Sequence, residues 1–328
     1  MLALSRNDVR RLVTMSDAIE LMKQAFLDLS AGTAISPLRI AIEVEPGKAD
    51  TLLMPAYVPS VHALGFKVVS VFRDNPSRGL PTINALVCLV SDETGEPLAI
   101  MDGTYLTALR TGAVSGAATD LLARADARTL VVIGAGAQGV TQAAAVCAVR
   151  AIERVIVVDP SDEARQRYRA AVEQEWPQIA TRIEYAADPM MVREADVICT
   201  ATTAHEPVFD DRFVKPGTHI NGIGAYTPEM QELPPETVAR AVVVVDQIDA
   251  ALAEAGDLIK PIAAGLFDRG HVSRELGALV AGTVTGRQAE HEITLFKSVG
   301  NAVQDVTVAR RAVERAEIEG VGQSIVLT

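Results

Sequence analysis

Hydrophobic and polar positions follow one rhythm in the first third of the 328-residue chain and another in the rest. Residues 38–44, 51–57, 64–72, 82–90 and 97–101 are short runs rich in β-branched and aromatic side chains, separated by turn signals such as Pro46-Gly47 and Thr94-Gly95. They predict a mostly antiparallel sheet. A helix is expected before it, with Ser16 as N-cap, Ile19, Met22, Phe26 and Leu29 on one face, and Gly32 as the stop. The pattern turns helical over residues 103–122. From residue 129 onward strands and helices alternate: helix 161–175, strands 182–185, 196–200, 217–221 and 241–246, a last strand-like run at 292–296, and a closing helix to about residue 319. Alternating βα units predict a parallel, doubly wound sheet. The fold class is therefore α/β, a Rossmann domain joined to a separate α+β unit. The boundary is expected after about residue 123, and the alternation alone leaves the closing helix assignable to either side.

Residues 129–160 carry the most specific pattern. An apolar strand (130–133) runs into Gly134, Gly136 and Gly139 with G-x-G-x-x-G spacing. A small-residue helix follows, then a second strand (155–158) that ends in Asp159, twenty residues past the last glycine. In a chain with 23 glycines the glycine spacing alone means little. Strand, glycines, helix, strand and acid in that order are what a dinucleotide-binding βαβ unit requires. Gly134 permits the tight turn, Gly136 lets backbone approach a pyrophosphate, and Gly139 lets helix and strand pack closely. The helix N-terminus offers free N–H groups to the phosphates. Asp159 is placed to accept from ribose hydroxyls and would repel a 2′-phosphate, and Pro160 brings no cation, so NAD is expected over NADP.

Composition narrows the class further. Hydrophobic residues make up 49% and charged residues 22%, as in a soluble globular enzyme, and the net charge of −12 argues against nucleic acid or an anionic membrane as partner. Cys88, Cys147 and Cys199 all sit inside apolar patterns, which suits free core thiols in a reducing compartment better than disulfides or metal ligands. No run of 18 apolar residues occurs and the N-terminal residues lack a signal-peptide core, so a cytoplasmic protein without a membrane span is expected. His205, Asp210 and His219 with Cys199 make no convincing metal set, and His219, alternating with apolar residues, reads as structural.

Candidate chemistry in the first unit rests on cations in apolar settings, Arg39, Lys67 and Arg110, and Thr82 in GLPT is a fourth notable position. Lys67 lies between Phe66 and Val68-Val69, so its ammonium must be buried and needs an anion, which a structural salt bridge would also supply. Arg73 and Arg78 read as a solvated loop, with a contact to a second substrate carboxylate as the alternative, and Asp305 reads as a cap or a contact to the site.

Six segments then occur together in order: GFK at 65–67, GLPT at 79–82, TALRT at 107–111, GAGAQ at 134–138, NGIG at 221–224 and KSVGNAVQD at 297–305. In these the chain resembles the ornithine cyclodeaminase/μ-crystallin family, which also holds alanine dehydrogenases and ketimine reductases, over essentially its whole length. The resemblance implies a discontinuous substrate-binding and dimerisation domain (1–123 with 301–328) around an NAD-binding Rossmann domain (124–300), and a homodimer. It implies Arg39, Lys67 and Arg110 as cations for a substrate α-carboxylate, with Lys67 also moving a proton. Around the cofactor it implies Thr111, Ala137, Gln138, Thr200, Ala201, Thr202, Gly222, Gly224, Lys297, Val299 and Gly300 beside Gly134, Gly136 and Asp159. The nicotinamide end is expected near Gly224 and Val299.

The chain departs from the cyclodeaminase pattern at two positions. Where those enzymes carry an aspartate that grips the amine, this chain has Tyr226; where they carry a glutamate before the L-M-P segment, it has Leu52. Two lost charge-assisted contacts of ~1.5–3 kcal/mol each would weaken ornithine binding by orders of magnitude. The leading expectation is an NAD-dependent oxidoreductase at the α-carbon of a small 2-imino or 2-amino acid, with Tyr226 a proton donor or pocket lining. Ornithine cyclodeamination is the alternative. A non-catalytic binder of dinucleotide and small ligand is a third reading, which the retained Lys67 and Arg110 disfavour.

Overall fold

A computed structural model describes residues 1–326, arranged as two compact units: Met1–Arg110 with Asn301–Thr328, and Thr111–Gly300. The division falls inside the helix over residues 103–122 rather than after it. That helix keeps one uninterrupted hydrogen-bonded run, so its sequence carries no mark of the boundary.

The first unit begins with β1 (Leu2–Leu4), α1 (Arg6–Leu12) and α2 (Met15–Ser30). The cap of α2 is Thr14, not Ser16. The Thr14 hydroxyl accepts from Asp17 N–H while the Asp17 carboxylate accepts from Thr14, a reciprocal box that leaves Ser16 inside the first turn. Ile19, Met22 and Phe26 are buried as expected. Then come β2 (Ile40–Glu45), β3 (Ala49–Val58), β4 (Ala63–Phe72), β5 (Ile83–Val90) and β6 (Pro97–Asp102), each within a few residues of its predicted run. They form a seven-stranded sheet in the order β14-β1-β6-β5-β4-β3-β2, where β14 is Gln323–Ser324. Every neighbour pair is antiparallel except β1 with β6.

The closing helix, Ala302–Glu319, packs on β3, β4 and β5, and α2 packs on it. That side of the sheet buries Met54, Lys67, Val69, Val87 and Leu89. The opposite side is open. Register aligns Ile40, Leu53, Val68 and Leu86 in one row across four strands, and Ile40, Ile42, Val44, Leu53 and Leu86 stay between 37% and 59% exposed.

Helix α3 (Gly103–Leu122) carries the chain into the second unit. There β7 (Thr129–Ile133), α4 (Ala137–Val149), β8 (Arg154–Val158), α5 (Asp162–Glu175), α6 (Pro177–Ala180), β9 (Ile183–Ala186), β10 (Val197–Thr200) and β11 (His219–Gly222) follow. They are succeeded by α7 (Pro235–Arg240), β12 (Val242–Val245), α8 (Ile248–Glu254), α9 (Gly256–Ala263), α10 (Leu276–Val280) and β13 (Thr294–Lys297). All seven strands are parallel, in the order β12-β13-β11-β10-β7-β8-β9. This is a doubly wound Rossmann sheet whose direction of winding reverses between β7 and β10. Its strands are apolar on both faces because helices cover both. The closing helix of the first unit is α11.

Close approach explains the small residues of α3: a Cβ at Gly112 would stand 2.5 Å from the Thr141 carbonyl oxygen of α4. His219 is fully buried, bonded to Thr294 and Asn221, and burial drives its pKa down to about 3, so it is a neutral structural imidazole. The three cysteines are free, and burial pushes Cys147 up to about 11 and Cys199 up to about 12. Among the described residues no helix is long and apolar enough to cross a membrane.

Candidate active site

In the first unit, strand β4 places Lys67 against the inner helix layer with 1% of its surface exposed. Its flanking partners on the neighbouring strands are Met54 and Val87, and Leu52 stands one pair further along on the same face. Arg110, on α3, is also buried. Both cations converge on Asp305 in the first turn of α11: Lys67 Nζ lies 2.8 Å from Oδ2, and Arg110 Nε donates to Oδ1 at 3.1 Å. Arg110 Nη1 also donates to Gln304 Oε1 at 2.8 Å, and that oxygen accepts Asn301 N–H as half of the α11 capping box. The helix start and the cation site are thus one hydrogen-bonded assembly.

Burial drives the Lys67 pKa from 10.5 down to about 7; Arg110 and Arg39 push the same way, and Asp305 opposes them. Two cations thus share the one carboxylate of Asp305. Thr107, one helical turn before Arg110, contributes a buried hydroxyl with no partner. Thr82 is half-buried just before β5, where its carbonyl accepts Phe72 N–H. Arg73 is exposed and paired to Asp50.

In the second unit the β7–α4 turn has the geometry of a phosphate cradle. Gly134 adopts φ +107°, and a Cβ there would stand 2.5 Å from the Ala201 carbonyl oxygen. At Gly139 the clash would be with the Gly134 carbonyl, at 2.2 Å. Gly136 faces open space. It caps α4 without any side-chain bond, so the first-turn N–H groups, starting at Ala137, keep their donor capacity. Gln138 Oε1 is buried and unpartnered. Asp159 ends β8, with Oδ2 accepting Ala135 N–H and Oδ1 accepting Ser161 N–H, both at 2.9 Å. A cation does stand near it, contrary to the expectation from Pro160 alone: Arg165, on α5, donates to the Asp159 carbonyl and pairs with Asp162. An open cradle, free helix donors and an orphaned amide oxygen fit a dinucleotide.

The remaining cofactor candidates line the carboxyl ends of β10, β11 and β13, where open parallel sheets bind ligands. Two of their side chains turn inward. Thr200 is fully buried and donates to Glu232 at 2.9 Å, and Lys297 is fully buried against Asp257 at 2.8 Å. The segments themselves are fixed by buried acids that the sequence pattern did not single out. Asp246 accepts from Ser298 Oγ and from the N–H groups of Val299 and Gly300. Glu232 accepts from Thr202, Gly224 and Ala225 N–H. A signal existed for Asp246, which closes an apolar strand as Asp159 does; none existed for Glu232 or Asp257. Thr111 is buried at the Gly112 crossing, its carbonyl accepting from Gln142. Tyr226 is half-buried and packs against the apolar core of this unit.

A model of the ornithine cyclodeaminase/mu-crystallin family matches residues 1–320. The chain belongs to that family. Its similarity to Δ1-pyrroline-2-carboxylate reductase of Bacillus cereus is 42% identity over 326 residues, covering 99% of each chain. Among solved structures it superposes on Thermococcus litoralis Δ1-pyrroline-2-carboxylate reductase in complex with NADH and L-proline at TM-score 0.94, with 42% identity over 99% of this chain and 100% of that one. It matches an archaeal alanine dehydrogenase dimer with bound NAD at TM-score 0.89 and 35% identity, over 100% and 99% of the two chains. In this family member, Lys67 and Arg110 share one carboxylate, and Leu52 presents an alkyl chain on their face of the sheet.

Proposed function

We propose that the protein is an NAD(H)-dependent imino acid reductase that reduces a small 2-imino acid to the amino acid, with Δ1-pyrroline-2-carboxylate as the first substrate to test. The observation that carries the reading is Lys67: a fully buried amine that shares the Asp305 carboxylate with Arg110, its pKa driven by burial down to about 7, holds a proton that it can give up at neutral pH. Arg110 and Arg39 supply the charge to hold the substrate carboxylate, and an arginine fork fixes the orientation of its plane. Fixing that plane orients the neighbouring C=N carbon. When bound, NADH supplies the hydride for that carbon. The Lys67 ammonium supplies the proton that the imine nitrogen takes up, so imine, hydride and proton give the secondary amine. In reverse, the neutral amine accepts it.

Met54, Val87 and Leu52, which flank Lys67 in the register of the sheet, are apolar, which suits a ring methylene better than a second ammonium group. At the cofactor's other end, the Asp159 carboxylate supports NADH over NADPH. The open sheet face with the row Ile40, Leu53, Val68 and Leu86 supports a homodimer through this face, because apolar area on that scale is costly to leave in water. Free thiols of raised pKa suit a reducing compartment such as the cytoplasm.

The test is NADH oxidation at 340 nm with pyrroline-2-carboxylate, and with pyruvate plus ammonia. Saturable turnover that Lys67→Met abolishes is expected. Proline and ammonia from ornithine, with NAD recycled and no reductase activity, would overturn the reading in favour of cyclodeamination.

A further inference from the structure

The sheet of the second unit contains a buried charged cluster that the chemistry above does not use. Glu232 sits in a buried segment without regular secondary structure, between β11 and α7, and no part of it reaches solvent. Its carboxylate takes four donors. Oε1 accepts Thr202 N–H at 2.6 Å; Oε2 accepts Thr200 Oγ1 at 2.9 Å, Gly224 N–H at 2.6 Å and Ala225 N–H at 3.1 Å. All four donors lie where β10 and β11 end.

Glu232 is itself held. Its own N–H and that of Leu233 donate to Asp257 Oδ1 at 2.7 and 2.9 Å, and Asp257 pairs with Lys297 at the end of β13. Space for this comes from missing side chains. A Cβ on Gly224 would stand 2.2 Å from the Thr202 carbonyl oxygen and 2.5 Å from Glu232 Oε1, and one on Gly256 would stand 2.0 Å from the Met230 carbonyl oxygen. The loops after β10 and β11 therefore touch backbone to backbone, with one carboxylate as the shared acceptor.

An isolated core carboxylate is costly to bury, and apolar packing would hold two loops together as well. What packing cannot do is fix the direction of three backbone N–H groups at once. In a doubly wound sheet the pyrophosphate lies at the winding reversal, here between β7 and β10. Asp159, directly after β8, marks the adenosine half, so β10, β11 and β13 carry the nicotinamide half. We propose that Glu232 is a positioning residue for the nicotinamide half of the dinucleotide site, acting through the backbone of Thr202, Gly224 and Ala225 and contributing nothing to the adenosine half. This rests on the dinucleotide reading above.

The experiment compares two ligands on the intact protein: NADH, followed by its fluorescence, and ADP-ribose, which has the adenosine and pyrophosphate but no nicotinamide, followed by calorimetry. Glu232→Gln keeps the volume, but its amide nitrogen must face at least one of the N–H donors. NADH should bind about tenfold more weakly, the worth of one lost charge-assisted hydrogen bond, while ADP-ribose affinity stays unchanged. Thr200→Val removes a single donor from the same carboxylate. It should give a smaller loss in the same sense, and it decides the matter if Glu232→Gln does not fold. Equal weakening of both ligands would make Glu232 a general structural residue and overturn the proposal, as would unchanged NADH binding. Failure of the unsubstituted protein to bind either ligand would refute the dinucleotide reading itself, a different outcome.

Discussion

Replacing Asp305 by asparagine tests the proton chemistry of Lys67 with little change of shape. The amide introduced by Asp305→Asn would keep an oxygen for Arg110 Nε and so keep the arginine in place, while its N–H would face Lys67 where a carboxylate oxygen now lies 2.8 Å away. The carboxylate is the group that holds the Lys67 pKa up against burial and the two arginines. A charge-assisted contact of ~1.5–3 kcal/mol corresponds to about 1–2 pKa units at 1.36 kcal/mol per unit. Lys67 would then move from about 7 to roughly 5–6. The ammonium fraction at pH 7 falls from about a half to roughly 1–10%, so kcat/KM for imine reduction at pH 7 should fall about 5–50-fold. Most of the loss should return on acidification to pH 5, because reduction needs the protonated form. The assay is kcat/KM for pyrroline-2-carboxylate at saturating NADH from pH 5 to 9, for both proteins, so that ionisation of the substrate cancels. A loss of the same size at every pH, or an unmoved profile, would refute the assignment of Lys67 as proton donor.

Gly136→Ala should leave Tm unchanged, since a Cβ there meets nothing within 4 Å, yet raise the NADH dissociation constant about tenfold by filling the cradle. Gly134→Ala should instead lower Tm, because φ +107° and the Ala201 carbonyl leave no room; equal Tm for the two variants would contradict the division of roles. Leu53→Glu, in the middle of the open apolar row, should yield a soluble monomer by light scattering, and a retained dimer mass would place the interface elsewhere. For His219 the folded pKa, about 3, lies below the ordinary 6.5, so the unfolded chain binds the extra proton between those values. Stability should therefore fall as pH drops through that window, by up to about 1.4 kcal/mol per pH unit, and urea midpoints of His219→Gln should show a shallower acid slope.

Most of the architecture was legible because it is written in local pattern. Strands β2 to β6, the full length of α3 and the whole β7–α4–β8 unit follow from periods of two and 3.6 and from three glycines. The errors were local too. Ser16 and Thr14 are equally good caps by residue type, and only the Thr14–Asp17 reciprocity separates them. The unit boundary could not be read, because α3 stays helical straight through it.

The site divides in a different way. A cation in an apolar strand announces that it needs an anion, and the pattern around Lys67 said as much. It does not announce which anion, because the answer lies far off in sequence: Asp305 is 195 residues from Arg110, and Glu232 is 30 from Thr202. Each of these acids sits in a stretch that reads as an ordinary loop or helix start. The structure answers with a protein carboxylate at Lys67, and that answer alone would favour an inert salt bridge. What tips the balance is the count of charges. Arg110 and Arg39 both depress the Lys67 pKa and Asp305 opposes them, which supports the proposed place for a substrate carboxylate. At the Glu232 cluster the count runs the other way, with two acids to one lysine, and Glu232 takes its four donors from backbone and a single hydroxyl. On the proposed reading one cluster receives a charged ligand and the other holds a backbone still, although both look alike as buried ion pairs.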